Sequence, residues 1–237
     1  MLSKYGTEQV GISTEIAVAD LYNVPIDANY RARGRIELVN HIKPALQIQL
    51  AHIPRPAKHI AEDQNPIDFS LQGDKSLSVK TSMRKAGKVA PQNIGQPTAA
   101  TFWSRLPDLV PNGTDIKSLT YAQSAALFKE VAQTRTAELL TEYWNNLFDC
   151  DYLLYVYNVV ESDNTLTTSP TTKLWAKPRS PTWKTSQLSF SQTPADWNES
   201  CTVKYQTTSI GEFQIHNNRN CFKFRFNLSG LIDSGLL

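Results

Sequence analysis

The stretch Asn65 to Thr81, "NPIDFSLQGDKSLSVKT", places a charged residue in each of two short apolar runs. The runs "PIDFSL" and "SLSVKT" are separated by Gly73, so they predict two strands joined as a hairpin over residues 65–81. Half-buried strands seldom carry charge, yet Asp68 lies on the first run and Lys80 on the second. The hairpin therefore predicts a rigidly held pair of functional side chains.

A carboxylate beside an amine at a sheet edge suits metal-dependent hydrolysis of a phosphodiester. Mg²⁺ prefers oxygen ligands and keeps several waters, so one or two carboxylates and a substrate phosphate suffice to hold it. The ion stabilises charge at the phosphate and acidifies a bound water, which a lysine can orient or deprotonate. We therefore expect Asp68 to bind Mg²⁺ and Lys80 to activate the water. Taken singly, Asp68 could be an N-cap or turn aspartate, and Lys80 a lysine whose stem covers apolar surface while its ammonium reaches water.

The composition is that of an ordinary globular protein. The chain has 237 residues, of which 41% are apolar and 19% charged, and its formal net charge is +2. It has no apolar run of transmembrane length, and its first residues lack the apolar core of a signal peptide. Three cysteines without metal-ligand spacing fit a reducing compartment. We therefore expect a cytoplasmic protein with no membrane partner.

The order of the predicted elements favours an α/β or α+β fold, with a mixed central β-sheet flanked by helices. Residues Ser13–Tyr22 predict the first helix, and residues 120–148 predict one long helix or two. The run "DYLLYVYNVV", residues 151–160, predicts a strand covered on both faces. Residues 26–60 give no clear assignment, and residues 161–200 predict an irregular excursion. No composition shift marks a boundary, so the whole chain is predicted to be a single domain.

The segment "GEFQIHNNRNCFKFRFNL", residues 211–228, alternates between apolar and polar side chains. It predicts a C-terminal β-hairpin within strands over about 203–228, turning at Asn217–Asn220. Amide and guanidinium groups on its polar face can each form two hydrogen bonds with a base in the major groove, which a two-stranded ribbon fits. We therefore expect double-stranded DNA as partner. The candidate contacts are Gln214, His216, Asn217, Asn218, Arg219 and Arg225. An ordinary amphipathic hairpin is the simpler alternative.

Further cations follow the first hairpin. Arg84, Lys85 and Lys88 form a local cluster that could contact DNA phosphates, although solvated loop residues would have the same composition. Two histidines, His52 and His59, are interpreted as structural or phosphate-adjacent, since their spacing does not suit zinc.

The hairpin "PIDFSLQGDKSLSVKT" resembles the active-site signature of the PD-(D/E)XK nucleases, above all type II restriction endonucleases. In that signature an aspartate begins one strand and an acidic-X-lysine tripeptide lies on the next. Asp68 matches the first acid, and Ser78-Val79-Lys80 matches the tripeptide. The strand "LSVKT" is also similar to that of the mismatch-repair nickase MutH. The resemblance implies a restriction-endonuclease-like core, Mg²⁺ as cofactor and 5′-phosphate ends.

The match departs from the family pattern at Ser78, where an aspartate or glutamate usually stands. Members of the family often place a glutamate on the first helix, so the resemblance implies Glu15 as the second carboxylate. Asp74 is the other candidate, but its place beside Gly73 also suits a turn. The resemblance thus implies four catalytic residues, Asp68, Lys80, Ser78 and Glu15, with Asp68 and Glu15 as metal ligands.

Together these features predict a prokaryotic type II restriction endonuclease that cuts both strands of a short recognition sequence. A palindromic site is read most economically by a two-fold symmetric protein, so a homodimer is expected. The host would need a DNA methyltransferase with the same target. The alternatives are a monomeric repair nickase with MutH-like chemistry, a non-catalytic DNA-binding module, and a protein that handles no nucleic acid.

Overall fold

The computed structural model describes residues 5–61 and 65–237. The chain divides into two compact units. The first unit consists of Met1–Gly87 and Phe148–Pro178, and the second unit consists of Lys88–Leu147 and Arg179–Leu237. Among the described residues, no helix has both the length and the apolar composition that a membrane crossing requires.

Seven α-helices and ten strands are assigned in the described ranges. The helices are α1 (Thr7–Tyr22), α2 (Ala28–Ala32), α3 (Ile36–Leu50), α4 (Ala99–Arg105), α5 (Tyr121–Thr134), α6 (Thr136–Leu147) and α7 (Leu228–Asp233). The strands are β1 (Pro56–His59), β2 (Phe69–Leu71), β3 (Lys75–Thr81), β4 (Lys88–Val89), β5 (Tyr152–Tyr157), β6 (Thr171–Ala176), β7 (Leu188–Phe190), β8 (Ser200–Tyr205), β9 (Thr208–His216) and β10 (Cys221–Asn227).

The first unit is built on a five-stranded mixed sheet in the order β1-β2-β3-β5-β6. Strands β3 and β5 run parallel, with Lys80 opposite Tyr155, and the other neighbours are antiparallel. Helix α1 lies against β3 and α3, and α3 also lies against β6. The four central residues of β5, Leu153 to Val156, are fully buried. This confirms the predicted strand with both faces covered.

The second unit is built on an antiparallel sheet in the order β4-β10-β9-β8-β7. Its apolar face packs against helices: Phe222 stacks on Phe128 of α5 at 4.4 Å between ring centroids, and Phe224 stacks on Tyr143 of α6 at 4.3 Å. Offset aromatic pairs of this kind add stability beyond the burial of their area. The predicted C-terminal hairpin is present as β9 and β10, with its turn at residues 217–220.

The two sheets flanked by helices make an α+β fold, as the order of the predicted elements indicated. The sequence predicted one mixed central sheet, whereas the described residues form two sheets, one mixed and one antiparallel. The strands of the C-terminal part follow one another through short turns, so they pair locally and antiparallel. The single nuclease domain stays a prediction. The restriction-endonuclease-like core also stays a prediction.

Several boundaries differ from those predicted. The first helix begins at Thr7 instead of Ser13, because Gly6 precedes it and donates its N–H to Gln9 Oε1 at 3.1 Å in place of a hydroxyl cap. The predicted irregular stretch, residues 161–200, contains β6 and β7. Strand β6, "TTKLWA", is half-exposed along its length, so it lacks the clean alternation that marks a strand in sequence. The long helical stretch is two helices, α5 and α6.

Asp151 joins the starts of the parallel strands β3 and β5. Its Oδ2 accepts hydrogen bonds from the backbone N–H and the hydroxyl of Ser76, both at 2.9 Å, and its Oδ1 accepts from Lys75 Nζ at 3.0 Å. Burial alone would raise the pKa of Asp151, but the donors from Lys75 and Ser76 hold it below its ordinary value. The ionised carboxylate therefore fixes the register of the two strands.

Asp151→Asn should destabilise the protein at pH 7 by about 1 kcal/mol, because it weakens charge-assisted hydrogen bonds on a partly exposed group. A depressed carboxyl pKa stabilises the fold above the unfolded-state pKa, and that contribution disappears as the pH falls through the folded-state pKa. The difference between variant and wild type should therefore close below about pH 4. Urea unfolding of variant and wild type, at pH 7 and below about pH 4, measures this difference in the free energy of unfolding. The control is Asp149→Asn, an exposed acid whose nearest ion pair, with Lys177, spans 3.9 Å; an equal loss in this variant would contradict the assignment.

Candidate active site

Asp68 lies one residue before β2 and is bonded to the neighbouring strand β3 through both backbone and side chain. Its N–H donates to the carbonyl of Leu77 at 3.1 Å. Its Oδ2 accepts from the Ser78 hydroxyl at 3.2 Å and from the Val79 N–H. The residue is only 9% exposed. The carboxylate is therefore held against β3 by the hairpin pairing that the sequence predicted.

Lys80 reaches the same place from β3. Its Nζ donates to Ser78 Oγ at 3.1 Å, so the Ser78 hydroxyl lies between the amine and the Asp68 carboxylate. Residues 78 and 80 are two apart on one strand, and their side chains therefore lie on one face of the sheet. The structure thus brings Asp68, Ser78 and Lys80 together.

Burial makes the charged forms of both ionisable groups unfavourable. It raises the pKa of Asp68 to about 6, helped by the charge of Glu15 and opposed by Lys80 and by the hydrogen bonds from Val79 and Ser78. Burial lowers the pKa of Lys80, against the attraction of Asp68. Such opposed shifts, caused by desolvation at a specific charge partner, are typical of functional sites.

Glu15, on α1, is a third buried ionisable group at this site. It is 8% exposed, and its Oε2 accepts from Tyr30 Oη at 2.6 Å and from His59 Nε2 at 2.9 Å. The alternative acid, Asp74, lies exposed in the hairpin turn with φ +55°, so it serves as a turn residue. Of the two candidates, Glu15 is the carboxylate that interacts with Asp68 and Lys80.

A cleft of about 800 Å³ opens onto the site within the first unit. Glu15, Tyr30 and Lys80 contribute to its wall, together with Val79 and Thr81 of β3. The amine and one carboxylate can therefore meet a molecule that enters from solvent.

The donor chemistry of Asp68 and Glu15 fits a hard divalent cation. Each carboxylate uses one oxygen, Oδ2 of Asp68 and Oε2 of Glu15, for hydrogen bonds from the protein. Within residues 5–61 and 65–237 no hydrogen bond to the other oxygen is found. That part of the chain holds no group of three or more His, Cys, Asp or Glu residues arranged for a metal. Two carboxylates nevertheless suffice for Mg²⁺ when substrate and waters complete its shell.

The predicted DNA contacts fall into two sets. Arg84 and Lys85 are exposed in the first unit, where Arg84 Nη2 donates to the Ser162 carbonyl at 3.4 Å. Three further predicted DNA contacts lie in the second unit and interact with Glu212. Lys88 forms an ion pair with it, and Arg225 Nη2 lies 3.3 Å from its Oε2. Gln214 Nε2 donates to its Oε1 at 3.1 Å.

The remaining candidate DNA contacts lie in and beside the turn of the C-terminal hairpin. Asn217, Asn218 and Arg219 are exposed. His216 Nε2 lies 3.3 Å from Gln214 Oε1, so His216 continues the hydrogen-bonded chain that starts at Glu212. Glu212 itself is 8% exposed and neutralises cations on this face.

Sequence reasoning missed Tyr30 and Glu212 and gave His59 no role at Glu15. No spacing rule links Tyr30 on α2 with His59 on β1, because the two residues meet only after the helices pack on the sheet. In the alternating segment 211–228, Glu212 is one polar residue among several. Its ion pairs with Lys88 of β4 and Arg225 of β10 follow only from the order and register of the strands.

Asp68→Asn should raise the stability of the metal-free protein at pH 8 by about 1 kcal/mol, or roughly 2–4 °C in Tm. The reason is that the ionised carboxylate is disfavoured at this site even with Lys80 beside it, while asparagine can still accept the Val79 N–H. Differential scanning calorimetry in EDTA measures the change. Glu142→Gln, which removes the same charge from an exposed position of α6, should leave Tm unchanged. A fall in Tm for Asp68→Asn would show that Asp68 is structural.

Comparison with known proteins identifies one curated relative. The chain is 31% identical over 230 residues to the type II restriction enzyme CviAII of Paramecium bursaria Chlorella virus 1. The aligned region covers 95% of this chain and 60% of that enzyme, so the chain spans about three fifths of the relative's length. No family model matches. No solved structure matches. The similarity extends well beyond the hairpin, and it supports the resemblance to restriction endonucleases; membership of the PD-(D/E)XK superfamily stays a prediction.

Proposed function

We propose that the protein is a type II restriction endonuclease, which hydrolyses one phosphodiester in each strand of a short duplex DNA sequence with Mg²⁺ as cofactor. The observation that carries the proposal is the convergence of Asp68, Ser78 and Lys80 beside Glu15 on a rigid pair of strands. The similarity to a protein named as a type II restriction enzyme gives independent support.

Asp68 and Glu15 are the residues that would hold Mg²⁺. When bound, the ion supplies stabilisation of negative charge at the scissile phosphate and acidifies a bound water. In this proposal Lys80 Nζ takes up a proton from the attacking water, a role that the burial-lowered pKa of the amine supports. The Ser78 hydroxyl orients that amine at 3.1 Å. Water adds to phosphorus and the bond to the 3′ oxygen breaks, so that one strand ends in a 5′-phosphate and the 3′ oxygen, after taking a proton from solvent, becomes a 3′-hydroxyl.

The C-terminal ribbon is the proposed reading element. Its turn presents the amides of Asn217 and Asn218 and the guanidinium of Arg219 at exposed positions, which suits bidentate contacts with adenine and guanine. Behind the turn, Glu212 holds the side chains of Gln214 and Arg225 in fixed orientations. Fixed donors lose less conformational entropy on binding than free ones. Arg84, Lys85 and Lys88 would contact phosphates, which position the protein without specifying sequence.

The assembly and setting follow from the same proposal. A homodimer would match the two-fold symmetry of a palindromic site. A methyltransferase with the same target would protect the host genome, as a functional partner in a prokaryotic cytoplasm. A repair nickase and a non-catalytic module are the competing functions. Ser78, where the resembled family has an acid, is the observation that favours the module.

Lys80→Ala should lower the cleavage rate by about 10²–10⁴-fold, because it removes the group that accepts a proton from the attacking water. The measurement is incubation of a mixed-sequence plasmid with Mg²⁺, followed by mapping of the fragment ends. Wild type should give discrete linear fragments with 5′-phosphates, and Lys80→Ala should bind the same DNA without cutting it. The control is Lys117→Ala, an exposed lysine of the second unit, which should cut normally.

Each alternative outcome of this experiment has a distinct meaning. Nicked circles without linear product would identify a nickase. DNA binding without cleavage by wild type would identify a binding module, and no salt-dependent binding at all would exclude a function on nucleic acid.

Arg219→Ala should weaken binding to the cognate duplex by about 1–3 kcal/mol if the guanidinium reads a guanine, with relaxed specificity at one base pair. If Arg219 contacts a phosphate, binding should fall equally on all sequences and the salt slope should drop by about one. Fluorescence anisotropy between 50 and about 200 mM salt distinguishes the two contacts. Arg179→Ala removes an exposed arginine outside the ribbon and should change neither quantity; equal effects in both variants would refute the assignment.

A further inference from the structure

Two aromatic side chains converge on a single oxygen of Glu15. Tyr30 Oη donates to Oε2 at 2.6 Å, and His59 Nε2 lies 2.9 Å from the same atom. The two rings are also in contact with each other, with centroids 4.8 Å apart. Both side chains therefore hydrogen-bond to the same carboxylate oxygen, Oε2. Within the described residues, Oε1 receives no hydrogen bond.

The position of His59 is set by the strand that follows Asp68. His59 is paired with Phe69 across β1 and β2, and its ring packs against the Phe69 ring at 5.1 Å between centroids. In addition, the N–H of Ile60 donates to the Asp68 carbonyl at 2.9 Å. The imidazole is nearly inaccessible, with 1% of its side chain exposed. One stretch of backbone pairing thus positions both Asp68 and the donor to Glu15.

Tyr30 is held from the helix side. Asp27 caps α2 and accepts hydrogen bonds from the Asn29 N–H at 2.8 Å and the Tyr30 N–H at 3.0 Å. The Arg33 guanidinium lies over the Tyr30 ring, 5.4 Å from its centroid. The Tyr30 hydroxyl therefore reaches Glu15 from a backbone position that the cap of α2 holds.

We propose that Tyr30 and His59 are positioning residues that hold Oε2 of Glu15 and leave Oε1 to a divalent cation shared with Asp68. The inference rests on the proposed nuclease function and adds two residues that act on the cation through Glu15. A carboxylate on a helix would otherwise rotate freely about its terminal bond, whereas two donors on one oxygen fix its plane. Partners that orient metal ligands in this way typically change metal affinity or activity by about 10–100-fold when mutated.

A purely structural role is the competing explanation. Tyr30 and His59 would then only satisfy a buried carboxylate, and their loss would lower stability without changing metal affinity. The chain contains a matched control for this case. Tyr22, in the same unit, donates its hydroxyl to the Leu50 carbonyl at 3.1 Å and is likewise half-buried. Tyr22→Phe removes one tyrosine hydrogen bond whose acceptor is a backbone carbonyl instead of a carboxylate.

The experiment measures Mn²⁺ binding by calorimetry, cleavage as a function of Mg²⁺ concentration, and urea stability of the metal-free protein. The variants are Tyr30→Phe, His59→Leu, His59→Gln and the control Tyr22→Phe. Tyr30→Phe and His59→Leu should raise both the Mn²⁺ dissociation constant and the Mg²⁺ requirement about 10–100-fold, with the rate at saturating Mg²⁺ nearly unchanged. His59→Gln, which offers an N–H near the position of Nε2, should recover most of the affinity.

The outcomes separate this inference from the function on which it rests. If wild type neither binds Mn²⁺ nor cuts DNA, the nuclease function and the positioning role are both overturned. If wild type does both, and Tyr30→Phe and His59→Leu bind Mn²⁺ as tightly as Tyr22→Phe, the positioning role alone is overturned. Tyr30→Phe keeps the aromatic ring and His59→Gln keeps an N–H donor, so both variants should fold even where His59→Leu does not. A lower stability with unchanged Mn²⁺ affinity would assign Tyr30 and His59 a structural role.

Discussion

The hydrogen bonds from β3 to the Asp68 carboxylate are the interaction on which the candidate active site depends. They join a side chain next to β2 to the Val79 backbone and the Ser78 hydroxyl of β3. The pairing of the two strands therefore sets the geometry of the site. The parallel neighbour β5, joined to β3 through Asp151, holds that strand from the other side. A displacement of about 1 Å at a reacting group can cost a hundredfold in rate. Central strands limit such displacement better than a loop.

That rigidity carries an electrostatic cost. An aspartate whose pKa is raised to about 6 and a lysine whose pKa is lowered are two groups that would be more stable in water. Their mutual attraction offsets part of the desolvation, and the remainder is compensated by the core beneath them, which includes Leu77 and Leu154, both fully buried. A site with unfavourable charges in a well-packed sheet is the pattern expected where stability is traded for chemistry.

Local patterns predicted much of this protein, and long-range packing accounts for the rest. The two hairpins, at Gly73 and at residues 217–220, follow from short strand patterns and turn residues, and the buried strand β5 follows from a continuous apolar run. Such patterns act over a few positions. The division into two sheets depends on which strands pair at distance, and no local pattern encodes that choice. Glu15 could be named from family resemblance, but its contacts with Tyr30 and His59 join three separate elements. Such contacts leave no spacing in the sequence.

The serine at position 78 explains why the site takes this form. A third carboxylate there would lie near the Asp68 oxygen that Ser78 Oγ contacts at 3.2 Å, and it would raise a carboxyl pKa that burial has already raised. A hydroxyl avoids that repulsion, because it donates to Asp68 and accepts from Lys80. In the proposed cation site, the second acid then comes from outside the hairpin. A carboxylate supplied by a helix is less constrained than one on the strand, which is why the donors on Glu15 matter to the proposed cation site.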